Sequence, residues 1–182
     1  MNNKDLDEFI AEYQLNKTKG ISVVTVENLS QLKSAGYIIE NLFQHLCDKY
    51  DLLLHGSRTD ISDTHLKPNP AGKSFGANIA AIAIMRAIIS NRGLTGNGLE
   101  YPYFIDKNHP LEVKIHGIND ETIGEKGFIY VLNQKDKFEN EPKGSWQYVC
   151  RNGFVPISAK VEVIRSDFTH PIYDVTNNKR IQ

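Results

Sequence analysis

Leu6, Phe9, Ile10 and Tyr13 are set at helical spacing among Asp, Glu and Lys, a pattern that predicts a short amphipathic helix ending before Lys19-Gly20. The segment from Gly20 to Val26 is short and β-branched, so it reads as a strand or an extended lead-in. Leu29, Leu32, Ile38, Ile39, Leu42, Phe43 and Leu46 then hold one 3.6-residue stripe. This predicts a single long helix with Asn28 or Ser30 as its N-cap and with Gly36 weakening its middle. Asp51 to His55 is an apolar run that stops at Gly56, the pattern of a core strand whose last residue emerges into a loop, where sites are often built. Ser57 to Lys73 is polar and aperiodic and holds Pro68 and Pro70, so it reads as loop. After Ser74 to Ala77, Asn78 is placed to cap a helix over 79–91. The Ala/Ile/Met content of that helix predicts burial on most of its circumference, with Gly93, Gly96 and Gly98 ending it.

The second half changes character. Leu111 to His116, Gly127 to Leu132, Trp146 to Cys150 and Phe154 to Ile164 all carry strand signals. Helices early and strands late predict an α+β fold. In the last of these segments Ile157, Ala159, Val161 and Val163 share one face, and Ser158, Lys160 and Glu162 share the other. Trp146 and Tyr148 read as sheet-face packing, Asp174 beside Tyr173 as a surface residue, and residues 176–182 as a frayed tail.

The chain has 182 residues, the size of one domain with one core, and shows neither an internal repeat nor a low-complexity tract. Its net charge of −1 supplies no excess cation for a polyphosphate backbone, so dedicated nucleic-acid binding is disfavoured. The opening MNNKDLDEFI lacks the basic and apolar pattern of a secretory signal. The longest apolar run, from Ile79 to Ile89, is interrupted by Arg86 and is far too short to cross a bilayer, so a cytoplasmic location without a membrane partner is expected. Cys47 and Cys150 are expected to be reduced and buried. No metal is expected, since His45, His65, His109, His116 and His170 show no ligand spacing.

Gly72-Lys73-Ser74 copies the end of a phosphate-binding loop but fails its context. The position five residues before Gly72 holds Lys67, and Pro68 and Pro70 remove N–H groups from the arc that should cradle phosphate. His55-Gly56-Ser57-Arg58 is more informative, because an imidazole, a bare backbone position, a hydroxyl and a cation follow one another after a buried strand. Such a corner can grip a polar ligand: glycine admits a planar amide, His and Ser bond ribose hydroxyls, and Arg reaches phosphate. An ordinary strand-ending turn uses the same residues.

From these residues the chain resembles the ADP-ribosyltransferase-like superfamily, in particular its poly(ADP-ribose)-polymerase-type branch and small bacterial relatives. Leu52 to Arg58 looks like the first signature strand of that branch, and Gly72 to Ala77 leading into Asn78 looks like its second strand and helix. The resemblance implies a split antiparallel β-sheet with packed helices over 51–175, a helical region over 1–50 packed on it, and the tail at 176–182. It implies NAD as substrate, in a cleft beside His55, with nicotinamide expelled and ADP-ribose passed to a macromolecule or to water. His55 would hold ribose, Gly56 would meet the carboxamide, Ser57 would bond the ribose side and Arg58 would favour phosphate.

The chain departs from the family pattern at two places. Ser74 occupies the slot of a stacking tyrosine and cannot stack; neighbouring Phe75 is expected to pack inward, with Tyr130 a substitute from another strand. The family's late glutamate, which steadies the oxocarbenium-like centre, has no clear match. Glu162 is the best-placed candidate and Glu141 the second, although a solvated strand face explains Glu162 as well. Two other readings therefore stay open: an RNA 2′-phosphotransferase-like enzyme, which would need a basic cluster in the cleft, and a catalytically inactive domain binding a nucleotide or a protein.

Overall fold

The N-terminal stripe folds as α1 (Lys4–Glu12), whose Leu6, Phe9 and Ile10 are buried. The computed structural model describes residues 3–91, 94, 98–105 and 111–182. After β1 (Ser22–Val24), the stripe expected to form one long helix makes two, α2 (Val26–Ser34) and α3 (Ile39–Tyr50). Gly36 breaks it: its φ of +87° is left-handed, and the bonds from Gly36 N–H to the Lys33 carbonyl and from Tyr37 N–H to the Leu32 carbonyl close a Schellman end. The apolar spacing survives because both helices bury the same side in one core, whereas Ile38, at the entry to α3, is exposed. The cap of α2 is Thr25 rather than Asn28 or Ser30; Asn28 serves as the third residue of a capping box, its Oδ1 accepting from the Thr25 N–H at 2.9 Å. Asp7 fastens α1 to α3 by accepting from His45, Tyr50 and Lys49, bonds that hold its carboxyl well below the usual range.

The next apolar run is β2 (Leu53–Ser57), and the loop behind it contains one short strand, β3 (His65–Leu66), before β4 (Lys73–Ala77). The second apolar helix, α4 (Ala80–Ile88), is buried at every residue except Arg86. Asn78 does not cap it; the Ala80 N–H is met by Gln44 Oε1 of α3 at 3.0 Å. The helix ends before the glycines expected to stop it, of which Gly93 and Gly96, like His109, lie outside the described residues.

The strands that follow are β5 (Leu99–Glu100), β6 (Val113–Ile115), β7 (Lys126–Leu132), β8 (Glu139–Asn140), β9 (Gln147–Arg151), β10 (Val155–Ile164), β11 (Ile172–Asp174) and β12 (Lys179–Arg180). The protein is thus mixed α+β with two sheets. The larger has the order β1-β10-β7-β2-β4-β9-β8, with β3 also on β10, and the smaller has the order β12-β11-β6-β5. Neither is wholly antiparallel as expected, since β1 lies parallel to β10 and β11 parallel to β6. Both parallel pairs join segments far apart in the chain, which no local pattern encodes.

Leu54, Ala77, Ile129, Val131, Ala159, Val161 and Val163 face the helices, in a core continuous with α1 to α4. Leu53, Tyr130, Leu132 and Cys150 face the other way into a second cluster. Ile157 belongs to that second cluster, not to the face of Ala159, because a bulge sets Ile157 against Leu132 and Ala159 against Val131 and so reverses the alternation. The tail is not free either: β12 pairs with β11, and Ile181 packs on the core. Asp174 is buried rather than superficial, accepting from the N–H groups of Thr176 and Asn177 in the turn before β12. Both cysteines are buried and neither is in a disulfide. Among the described residues no helix is long and apolar enough to cross a membrane.

Candidate functional site

The large sheet opens in its middle. β2 is paired with β7 from Leu53 to Ser57 and β4 with β9 along its whole length, yet β2 and β4 share only the pair Leu54 with Ala77. Beyond Leu54 the backbone of β2 has no strand partner on its β4 side. His55 spans the opening, its Nδ1 lying 2.9 Å from the Phe75 carbonyl oxygen. A carbonyl only accepts, so Nδ1 carries the proton and Nε2 is left as a bare acceptor. Burial pushes the imidazole pKa down against that hydrogen bond, and the Arg86 charge adds to the effect, so the ring is neutral at pH 7.

On the helix side of this opening lies a cleft of about 540 Å³. Leu54, His55, Gly56 and Phe75 to Ala77 line it from the sheet, Ile82, Ala83 and Arg86 from α4, and Tyr103, Trp146 and Gln147 from its far wall. Tyr103 stacks on Trp146 with the ring planes 3° apart, and the indole N–H donates to the Pro102 carbonyl at 2.8 Å. Gln147 Nε2 donates to the Glu141 carbonyl. A second, polar hollow of about 460 Å³ adjoins the first, lined by Arg58, Thr59, Ser90, Asp120 and Glu121, and Arg86 and Ile89 belong to both.

The structure brings His55 and Gly56 to the cleft and distributes the other candidates elsewhere. Gly56 also serves the fold, since a side chain there would run into the Ala83 carbonyl of α4. Ser57 turns back on its own loop, donating to the Thr59 carbonyl and accepting from the Thr59 N–H. Arg58 Nη1 donates to the carbonyls of Ile88, Glu121 and Thr122. Ser74 is buried on the far face, where its hydroxyl meets the Gly153 carbonyl, and it is Phe75 that lines the cleft. The expectation that Phe75 packs inward is reversed, because a register reading off by one residue exchanges the faces of every side chain. Tyr130 lies beside His55 as its cross-strand partner on β7, ring centroids 6.3 Å apart, donating its hydroxyl to Asp60. Burial, with the Asp60 carboxylate beside it, pushes this phenol up to about 12.

Glu162 stands on the same outer face as Tyr130, opposite Phe128, and its carboxylate holds Lys126 at 2.8 Å. With β7 between β10 and β2, it is two strands and roughly 10 Å from β2 at ordinary strand spacing; the registers give it the same sheet face as His55, yet it does not line the cleft. Glu141 is paired with Arg151. Sequence reasoning missed Arg86, Tyr103 and Gln147 as site residues and read Trp146 as packing alone. The available signal was the lone cation, Arg86, inside an apolar helix.

Among the described residues no cluster of three or more His, Cys, Asp or Glu side chains could hold a metal ion. Comparison with protein-family models, characterised proteins and solved structures finds no match for this chain.

Proposed function

We propose that the chain is an ADP-ribosyltransferase-like protein that binds an NAD-type dinucleotide in the cleft and holds it without breaking its glycosidic bond. The observation that carries this reading is the opening between β2 and β4: beside a bare strand edge stands a neutral imidazole whose proton is fixed on Nδ1. A strand edge offers both donors and acceptors, the set that a planar carboxamide needs. His55 Nε2 accepts from a ribose hydroxyl. Phe75 and the apolar wall of α4 enclose the ring, as a mostly apolar pocket with few convergent polar groups does for a flat ligand.

The retained bond follows from charge. Expelling nicotinamide builds positive charge at the sugar carbon, which a nearby carboxylate must stabilise. Gln147 offers an uncharged amide, and among the described lining residues of the cleft none is Asp or Glu. Glu162 does not line the cleft, stands two strands away from His55 and is paired with Lys126. An RNA 2′-phosphotransferase reading gains nothing from the adjoining hollow, where Asp120 and Glu121 offset Arg58 and Arg86.

Calorimetry with NAD, alongside chromatography for released nicotinamide, tests the proposal. NAD should bind the native protein at least about ten-fold more tightly than His55→Ala, with no nicotinamide released. His55→Asn, which keeps a donor for the Phe75 carbonyl, covers the case in which His55→Ala does not fold. Unchanged affinity in His55→Asn removes the cleft assignment. Nicotinamide release that stops in Glu162→Gln removes the claim of binding without turnover.

A further inference from the structure

Arg86 is the one residue of α4 that is not buried outright, and it is a cation on a helix otherwise made of Ala, Ile and Met. Its guanidinium lies 5.1 Å from the Tyr101 ring centroid, and Nη1 donates to Asn91 Oδ1 at 3.2 Å. Both partners are neutral, and among the described residues no carboxylate pairs with it. A half-enclosed charge without a counter-ion costs free energy that the fold itself does not recover. Its place is the boundary of the two hollows, where it lines both.

Arg58 is the contrasting case. Its Nη1 is occupied by three backbone carbonyls, one of them from Ile88 at the C-terminal end of α4, and its guanidinium lies against Gly124, where even a methyl group would collide with it. That arrangement joins β2, α4 and the turn before β7, and it leaves this guanidinium fixed as part of the wall.

We propose that Arg86, and not Arg58, is the phosphate-binding residue, so that the cleft selects a phosphorylated nucleotide over the free ring or nucleoside. The flat ring occupies the first hollow, the phosphate sits on Arg86, and the remaining polar part of the ligand lies in the second hollow. This rests on the cleft being the ligand site. With His55 neutral, Arg86 is the single positive charge among the described lining residues of the first hollow. A phosphate therefore gains a charge-assisted, fork-shaped contact that a ligand without an anionic group cannot make.

Nicotinamide mononucleotide and nicotinamide riboside differ by one phosphate and are the probes. By calorimetry the mononucleotide should bind the native protein about ten- to a hundred-fold more tightly than the riboside, with the gap narrowing as salt is added. Arg86→Gln should abolish the gap without weakening binding of the riboside, itself a pyridinium cation, and Arg86→Lys should keep part of it. Arg58→Gln should keep the whole gap and lower the melting temperature. Equal binding of the two probes to the native protein, or an undiminished gap in Arg86→Gln with native circular dichroism, overturns the assignment while the cleft reading stands. If neither probe nor NAD binds, both fall.

Discussion

The Nδ1–H of His55 and the carbonyl oxygen of Phe75, 2.9 Å apart, join the two strands just where their backbone pairing stops. One side chain thus replaces a rung of the sheet, and the same bond decides which nitrogen keeps its lone pair. The ring cannot be rotated or doubly protonated without cost, because its far side is packed near Tyr130 and the Arg86 charge acts on it.

That relationship sets a pH dependence. Burial lowers the His55 pKa in the folded state, so between that value and the unfolded value near 6.5 the unfolded chain binds the extra proton. Stability from this group is complete above about pH 6.5 and falls as acid is added, by at most about 1.4 kcal/mol per pH unit. Thermal melting between pH 5 and 8 should show this slope reduced in His55→Asn relative to the native protein. An identical slope in both would mean that His55 is protonated in the fold.

Gly56 and Gly127 lie on neighbouring strands, and the backbone of α4 rests directly on both: a side chain at the first meets the Ala83 carbonyl and at the second the Ala87 carbonyl. Neither obstacle is a side chain that can swing aside. Gly56→Ala and Gly127→Ala should each cost about 3 kcal/mol in urea unfolding, at the upper end for overpacking. Gly76→Ala, which meets side chains and no backbone, Leu53 at 3.1 Å and Phe138 at 3.5 Å, should cost clearly less. Equal losses at all three positions would show that α4 is free to lift.

Lys33 on α2 holds the nearly buried carboxylate of Asp167 at 2.6 Å, while the other oxygen of Asp167 accepts from the Ile164 N–H at the end of β10. Lys33→Met strands that carboxylate with its backbone bond alone. The expected loss is about 2 kcal/mol, reduced from the fully buried case because the lysine is itself one-third exposed. Lys33→Met combined with Asp167→Leu should recover part of the loss, and a double-mutant cycle that sums without coupling would remove the ion pair as a contributor.

The elements were largely legible because burial on one side writes its period into the chain: the apolar stripes and alternations around Leu6, Leu42, Ile82, Ile129 and Val161 all became buried faces. What local pattern could not convey was where that period is interrupted. Gly36 divides a stripe that stays in phase across the break, and the bulge after Ile157 turns a side chain over without altering the residue types. The candidate site was legible only at His55 and Gly56, which are adjacent in the chain. Phe75, Arg86, Tyr103 and Gln147 come from four other segments, and which face each presents depends on pairings such as Ala77 with Gln147. Glu162 looked catalytic because it was a carboxylate on a late strand. The strand order puts β7 between it and His55, and its carboxylate is taken up by Lys126.

Trp146 is the single tryptophan of the chain and stands in the wall of the proposed site, so its emission reports on that site without a label. One face of the indole is covered by Tyr103, itself 49% exposed at the mouth of the cleft. Tyr103→Ala should therefore uncover the indole, shift emission of the free protein to longer wavelength and weaken NAD binding by about 1 kcal/mol, the value of one aromatic stacking contact. Phe104 is the neighbouring aromatic and more exposed still, at 62%, but it does not line the cleft. Phe104→Ala should change neither emission nor affinity. In the native protein NAD should quench Trp146 with the same midpoint that calorimetry gives. Binding that leaves Trp146 emission unchanged would place the dinucleotide outside this cleft.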